Sequence, residues 1–308
     1  MAKPIKTRLT HRLTRFLSDS KPSSLREVEP IRKSVLEVLH RATSQNWRTY
    51  IVGGAIRDLL LGPAGWWPRD VDIIVDGCSE NDLEAAFRDI MIRHTSFGGL
   101  HLRRSVKIEG VTTAKYDLLF DIWRLQDTWA IKRNELVPTI SKFLQTPFLN
   151  IDSIAVAMPS NKRGPIVYES GFFQAVSTKT LEINSEPNPF PFVCAIRSLI
   201  LAAKLDFWIG PNLARFIHTL VNSGSISDLL DAQLSHYGRI RSNEDEIREW
   251  LDRLRSQLET GLDKVRLSNT PEQQLHLWQD WPPHSEWGGL DHESSRKLIA
   301  GHRSGDGI

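Results

Sequence analysis

The sequence predicts an α+β fold, in which a mixed β-sheet with packed helices is followed by an α-helical domain. The first observation is a strand that runs into two glycines and then a helix, between Tyr50 and Gly62. The second is a series of further strands, including a hairpin within residues 100–125. The third is a change at residue 187, beyond which prolines are followed by a mostly helical pattern. Helical spacing also predicts a helix from Ser79, a possible N-cap, to Met91 and an amphipathic helix over residues 126–149. Gly110, Thr112 and Thr113 are the expected turn of the hairpin.

The chain divides into three predicted segments. Its 308 residues suffice for one large domain or two ordinary ones. With 40% hydrophobic and 25% charged residues, the composition is that of a chain with packed cores. We expect a basic arm at residues 1–29, an α+β head at residues 30–186, and a helical domain with a tail rich in Trp and Pro at residues 187–308.

The two ends of the chain leave alternatives open. In the arm, Ile5, Leu9 and Leu13 fall near helical spacing among basic residues. That composition is typical of a transit peptide, of an arm that contacts nucleic acid, or of a helix that docks on the body. In the tail, the tryptophans of residues 278–290 either stack on bases or pack as a cap on the helical domain.

Composition restricts the partners and the compartment. A net charge of +2 permits a nucleic-acid partner without requiring one. Cys78 and Cys194 are far apart and lack metal-ligand spacing, so we expect neither a disulfide scaffold nor a zinc site, and a reducing cytoplasm fits best. No apolar run approaches the ~20 residues that span a bilayer, so no membrane partner is expected. Nothing in the sequence indicates the oligomeric state.

Two acidic residues begin the second strand. Asp70 and Asp72 are two positions apart, and alternate residues of a strand point to the same face. Such carboxylates repel each other unless a cation such as Mg²⁺, which prefers oxygen ligands, lies between them. The nearby turn of Gly53 and Gly54 lets the backbone approach a ligand, and the helix that follows favours a triphosphate at its N-terminus. Together these features indicate phosphoryl or nucleotidyl transfer, with two Mg²⁺ ions ~4 Å apart.

The same stretch resembles a known family. Gly53 begins the pattern Gly-Gly-x-x-Arg-Asp-x-x-x-Gly, and Arg69 begins Arg-Asp-x-Asp-Ile. This combination resembles the head domain of tRNA nucleotidyltransferases (CCA-adding enzymes) and bacterial poly(A) polymerases. The resemblance implies a nucleotidyltransferase-type sheet and Mg²⁺-dependent transfer of a nucleotide from an NTP, ATP or CTP, to an acceptor hydroxyl. It also implies an RNA acceptor with a tRNA-like 3′ end, and release of pyrophosphate.

The resemblance implies roles for individual residues. The family has a third acidic residue across from the first two, and Asp121 stands at that place. Asp117 would share its face and is the rival, and both are alternatively edge-strand acids facing water. Arg57 either meets the phosphates or pairs with Asp58 to brace the turn. The implied catalytic and metal-binding residues are Asp70, Asp72 and Asp121, and the implied nucleotide-binding residues are Gly53, Gly54, Arg57, Asp58 and Arg197.

Two other motifs of the family are incomplete in this sequence. The family has an Arg-Arg pair before the strand predicted at residues 150–156, where this chain has Thr146-Pro147-Phe148. In the helix with which the family selects the base, Pro191 and Cys194 replace the Asp and the first Arg, and only Arg197 remains. Arg197 is alternatively a surface charge of that helix.

These departures leave two other functions open. One is a nucleotidyltransferase that modifies a protein or a small molecule. The other is a catalytically silent RNA-binding relative, against which the intact acidic residues argue. The sequence does not determine the acceptor or the preferred NTP.

Overall fold

A computed structural model describes residues 5–17, 29–62, 70–95, 98–107, 115–158, 165–261 and 264–267. Several predictions concern residues outside these ranges, namely the remainder of the basic arm, Arg69, the hairpin turn at residues 110–113 and the tail at residues 278–290. In the described ranges, no helix is both long and apolar enough to cross a membrane.

Eleven α-helices are present in the described residues. They are α1 (Ile5–Leu17), α2 (Glu29–Thr43), α3 (Gly54–Leu61), α4 (Glu80–Phe87), α5 (Trp129–Arg133), α6 (Ile140–Phe143), α7 (Phe172–Thr178), α8 (Pro191–Leu205), α9 (Pro211–Ser223), α10 (Ile226–Tyr237) and α11 (Glu244–Glu259). Capping side chains explain where several of them begin. Ser79 accepts the Asp82 amide at the start of α4, as predicted, and Ser225 and Asn243 form capping boxes with acids three positions later.

Ten strands in the same ranges form two sheets. They are β1 (Arg48–Val52), β2 (Asp70–Asp76), β3 (Met91–His94), β4 (Leu100–Lys107), β5 (Lys115–Arg124), β6 (Ile154–Ala157), β7 (Ile166–Glu169), β8 (Thr180–Leu181), β9 (Trp208–Ile209) and β10 (Val265–Arg266). The larger sheet has the order β3-β4-β5-β2-β1-β6-β7, and the smaller has the order β10-β9-β8. In the larger sheet β2 and β5 are parallel, whereas the other pairs of neighbours are antiparallel. The predicted α+β class with a mixed sheet is therefore confirmed.

The two faces of the larger sheet differ in burial. On β2, Val71, Ile73 and Val75 belong to the main apolar core that the sheet shares with its helices. Because side chains alternate along a strand, the intervening aspartates Asp70 and Asp72 face the other side. A smaller apolar cluster covers part of that side. The alternation therefore keeps the two aspartates out of the main core.

The basic arm is a docked helix over the residues that the structure describes. Leu9 and Leu13 of α1 are fully buried in the main core. Arg12 donates from Nη1 to the carbonyls of Leu59 and Leu60, both at 2.7 Å, and so satisfies the C-terminal end of α3. For residues 5–17, the alternative of a helix that docks on the body is thus the one observed.

Three predictions of local structure were wrong. Residues 126–149 were expected to form an amphipathic helix, but they contain only the short helices α5 and α6. Glu135 has a positive φ of 50° and Pro138 follows, which together end the helical run. The strand expected at residues 150–156 begins only at Ile154, after a 3-10 turn. The helix expected to continue to Met91 ends at Phe87, and Met91 begins the edge strand β3.

The head and the helical segment are packed together. In the smaller sheet, β8 precedes the boundary expected at residue 187, whereas β9 and β10 follow it. The main core likewise contains residues from both sides of that position. The boundary expected at residue 187 therefore crosses a shared core. The three-segment division stays a prediction.

Candidate active site

Three predicted carboxylates lie on one side of the larger sheet. In the parallel pair β2 and β5, Asp72 is directly beside Asp121, and Asp70 is beside Leu119. Residues in register on neighbouring strands share a face, and the strands are ~4.8 Å apart. The fold thus brings Asp70, Asp72 and Asp121 together although the last is far from the others in sequence. Their catalytic and metal-binding roles stay predictions.

The rival acid Asp117 is held elsewhere. It lies four positions before Asp121, which is ~13 Å along an extended strand. Its carboxylate accepts a hydrogen bond from the Ser105 hydroxyl and lies 3.7 Å from a guanidinium nitrogen of Arg103. Asp117 therefore shares the face of Asp121, as expected. Its partners, however, are Ser105 and Arg103 of the neighbouring strand β4. This geometry favours Asp121 as the third carboxylate.

The glycine turn lies beside Asp72. The antiparallel register of β1 and β2 places Val52 opposite Asp72, so the chain turns at Gly53 next to that carboxylate. Gly53 has φ 65° and ψ −130°, a conformation that other residues rarely adopt. A Cβ on Gly53 would lie 4.0 Å from Oδ2 of Asp72.

The amides of this turn are not equivalent. The Gly53 amide donates to the Ile154 carbonyl at 2.9 Å, and the Gly53 carbonyl accepts the Ile56 and Arg57 amides. Because the first amides of a helix have no intrahelical acceptor, those of Gly54 and Ala55 are the donors that α3 directs outward. Anion binding by the turn stays a prediction, and the amides of Gly54 and Ala55 are the donors that it would use.

Like charges disfavour ionisation at the centre of the site. Burial, and then the carboxylates of Asp121 and Asp70, raise the pKa of Asp72 to about 8, although Arg197 acts in the opposite direction. A cation bound at this place would offset the repulsion.

The carboxylate set matches Mg²⁺ in its chemistry, because Mg²⁺ prefers oxygen ligands. In the described part of the chain, however, no group of three or more His, Cys, Asp or Glu side chains is arranged so that it could hold a metal ion. The fit therefore rests on the donor type and on the Asp72–Asp121 pair.

A chain of ion pairs extends from the glycine turn to α8. Lys204 donates to Oδ2 of Asp58 at 3.3 Å, and Arg57 donates from Nε to Oδ1 of Asp58 at 2.7 Å. Arg57 also donates to Asp152, whose other oxygen accepts from Nη2 of Arg197 at 2.9 Å. Arg57 and Asp58 are each only 6% exposed. This is the bracing arrangement considered for Arg57, and contact of Arg57 or Asp58 with a nucleotide stays a prediction.

Burial and pairing act against each other in this network. Burial lowers the pKa of Lys204 to about 8, against the attraction of Asp58. Burial by itself would raise the pKa of Asp58, but Arg57 and Lys204 hold it below its usual value. The Asp58 carboxylate is therefore stabilised as an anion, whereas the folded protein disfavours the charged form of Lys204 relative to water.

The helix expected to select the base presents few polar groups. Pro191 is the first residue of α8, and Cys194 is buried, which raises the pKa of its thiol to about 12. Arg197 has a side chain that is 39% exposed, and it is paired with Asp152. Of the three positions, Arg197 alone therefore has a polar side chain that reaches the surface.

The sequence interpretation missed three residues that the fold places in or near the site. Asp152 and Lys204 form the ion-pair chain, and His101 of β4 contacts Asp121. For His101 a signal existed, since positions 101 and 121 lie at nearly equal distances in sequence on the two sides of the expected hairpin turn. For Asp152 the signal was that it is the one charged residue in the sequence of residues 150–156.

The comparison with known families agrees with this geometry. Residues 49–137 match the poly A polymerase head domain. The chain carries the pattern of this head domain. The matched residues include β1, β2 and β5, and hence the Gly53 turn with Asp70, Asp72 and Asp121. The family resemblance inferred from the sequence is confirmed over this part of the chain.

Similarity to individual known proteins is weak. The A-adding tRNA nucleotidyltransferase of Aquifex aeolicus (strain VF5) is 24% identical over 227 residues, which cover 67% of this chain. The match spans only 24% of that protein. A Thermotoga maritima CCA-adding enzyme complexed with tRNA superposes with a TM-score of 0.46 at 17% identity, over 91% of this chain and 69% of the other. A CCA-adding enzyme in complex with CTP superposes with a TM-score of 0.49 at 16% identity, over 97% and 69%.

Proposed function

We propose that this protein is a nucleotidyltransferase that transfers a nucleoside monophosphate from an NTP to an acceptor hydroxyl and releases pyrophosphate. The observation that carries the proposal is the placement of Asp72 and Asp121 side by side, next to the turn at Gly53. A triphosphate at the start of α3 would bring its phosphates to these carboxylates. The head-domain match over residues 49–137 supports the same reaction.

The reaction is a substitution at the α-phosphorus of the NTP, which transfers the nucleoside monophosphate. The acceptor oxygen forms a bond to the α-phosphorus, the bond from that phosphorus to the bridging oxygen breaks, and pyrophosphate leaves with the electron pair. The hydroxyl proton passes to solvent. In this proposal the Gly54 and Ala55 amides hold the phosphates, while the ion-pair chain through Arg57 keeps the turn rigid.

The carboxylates Asp70, Asp72 and Asp121 would hold Mg²⁺. When bound, this metal lowers the pKa of the acceptor hydroxyl and stabilises charge on the pyrophosphate. Without a cation the three carboxylates repel one another, which agrees with the raised pKa of Asp72.

We further propose an RNA acceptor with a tRNA-like 3′ end, and ATP or CTP as the donor. The name of the Aquifex aeolicus relative, an A-adding tRNA nucleotidyltransferase, supports this choice. The cytoplasmic location inferred from cysteine usage is part of the same proposal, and both cysteines are free and buried.

The test is to incubate the full-length protein with Mg²⁺, total RNA, a protein extract and each α-labelled NTP in turn. We expect label in RNA of tRNA size and loss of labelling in excess EDTA. Label in protein alone would favour the alternative substrate class, and no label with any NTP would contradict the proposed activity.

Matched variants connect the activity to the site. Asp70→Ala and Asp72→Ala should abolish labelling while the fold is retained, since each removes one of the repelling charges. Asp76→Asn is the control, because Asp76 is on the same strand but pairs with Arg48 at 2.5 Å. Wild-type labelling in the Asp72 variant would contradict the assignment of Asp72 to the metal site.

A further inference from the structure

His101 contacts Asp121, one of the three carboxylates of the site. In the antiparallel pair β4 and β5 it lies directly opposite Asp121, and its Nδ1 is 2.5 Å from Oδ1 of that residue. Together with the register of β2, this places Asp72, Asp121 and His101 in one row across three strands. The hydrogen bond that this contact allows is one from an Nδ1–H of the ring to the carboxylate oxygen, which accepts it.

Contacts in the turn just before β4 fix the strand that carries His101. The Thr95 amide donates to the Gly99 carbonyl at 2.7 Å, and the Gly99 amide donates to the Thr95 hydroxyl at 2.8 Å. The backbone of Gly99 packs closely against the Trp123 ring of β5. A Cβ on Gly99 would lie only 2.2 Å from Cδ1 of that ring. The position of His101 opposite Asp121 therefore follows from backbone packing.

Asp121 needs such a partner. Its side chain is 33% exposed, and the neighbouring Asp72 carboxylate repels it. That repulsion does not select one rotamer of Asp121. A hydrogen bond from His101, whose strand is fixed, does select one. With Oδ1 held by His101, Oδ2 is the oxygen of Asp121 that this contact leaves for a cation.

We infer that His101 is a positioning residue, which fixes the Asp121 carboxylate for cation binding between β2 and β5. The inference rests on the proposed function, since it assigns the residue that orients one ligand of that site. Hydrogen-bond partners of metal-ligating carboxylates commonly contribute 10–100-fold to metal affinity. His101 then acts through Asp121 and has no contact of its own with the nucleotide.

The experiment is a titration of the full-length protein with Mn²⁺ alone, in which free Mn²⁺ is measured by electron paramagnetic resonance. His101→Ala should weaken Mn²⁺ binding about tenfold or more. His101→Asn should retain most of the affinity, because the asparagine Nδ2 is about as far from the backbone as the histidine Nδ1. His94→Ala is the matched control, since His94 is on the adjacent strand β3 and pairs with Glu84 at 3.2 Å.

The outcomes separate this inference from the proposed function. Unchanged Mn²⁺ affinity in folded His101→Ala, or equal weakening by His94→Ala, overturns the inference even if nucleotide transfer is found. Mn²⁺ binding that depends on His101, in a protein that transfers no nucleotide, supports the inference and contradicts the activity. If His101→Ala does not fold, the Mn²⁺ affinity of His101→Asn is compared with that of His101→Gln. The glutamine amide lies near the position of the histidine Nε2, not Nδ1. Equal Mn²⁺ affinity of these two variants overturns the inference.

Discussion

Arg197 of α8 donates from Nη2 to Oδ2 of Asp152 at 2.9 Å, and this ion pair ties the helical segment to the turn that leads into β6. The Asp152 side chain is 12% exposed, and its other oxygen accepts from Arg57. The Asp152 carboxylate therefore forms ion pairs with two guanidinium groups from different parts of the chain, those of Arg57 and Arg197. Asp152 was not among the site residues that the sequence indicated, and two predictions concern the network it completes.

Asp152→Asn should lower the free energy of unfolding by about 3 kcal/mol, because it leaves two arginines without their shared countercharge. The measurement is urea unfolding followed by circular dichroism. Asp206→Asn is the matched control: it removes an exposed pair with Arg266 and should cost under about 1 kcal/mol. Asp206 has a φ of 54°, which asparagine tolerates well, so the control adds no backbone strain. Equal losses in the two variants would contradict a stabilising role for the network.

Lys204 should make stability depend on pH. Its pKa is about 8 in the folded protein against 10.5 for the ordinary lysine, so the unfolded chain binds this proton more tightly. The destabilising contribution is therefore complete below pH 8 and is relieved as the pH rises toward 10.5. Relative to Lys204→Met, the free energy of unfolding of the wild type should increase by about 2 kcal/mol between about pH 7 and 9.5. A constant difference between the two proteins would contradict the prediction.

Asp121→Asn should remove most of the nucleotide-transfer activity, and Asp117→Asn should remove little. Asp121 is beside Asp72, whereas Asp117 is bonded to Ser105. Both variants are assayed with labelled NTP under the conditions that show wild-type activity. The reverse ranking would assign the third carboxylate to Asp117.

Base selection should be weak or should favour one nucleotide by pocket shape. A site discriminates between bases strongly when polar groups match the Watson–Crick edge, since a wrong base leaves them unpaired. Here Pro191 has no polar side chain, Cys194 is buried, and Arg197 is paired with Asp152. We therefore expect no ordered addition of two cytidines and an adenosine.

The assay for base selection uses a tRNA transcript that lacks its last three nucleotides. It is incubated with the protein and all four NTPs, and its 3′ ends are sequenced. A mixture of additions, or a run of one nucleotide, is the expected result. A uniform CCA end would show that the missing polar groups of α8 are replaced by others in the folded protein.

The sequence was most informative where structure depends on near neighbours. The turn at Gly53, the cap at Ser79, and the alternation that puts Asp70 and Asp72 on one face all follow from residues a few positions apart. The prediction of one helix over residues 126–149 was wrong because it rested on helical spacing alone. It did not take account of Pro138 and the break at Glu135.

The sequence by itself thus determined the α+β class, the glycine turn and the paired acids of β2, since strand alternation and glycine conformations are local properties. Tertiary structure alone decided that Asp152 holds two arginines and that Lys204 reaches Asp58. It also decided that His101 faces Asp121. These contacts join residues far apart in the chain, and they form only when strand register and helix packing are fixed by burial of the whole core.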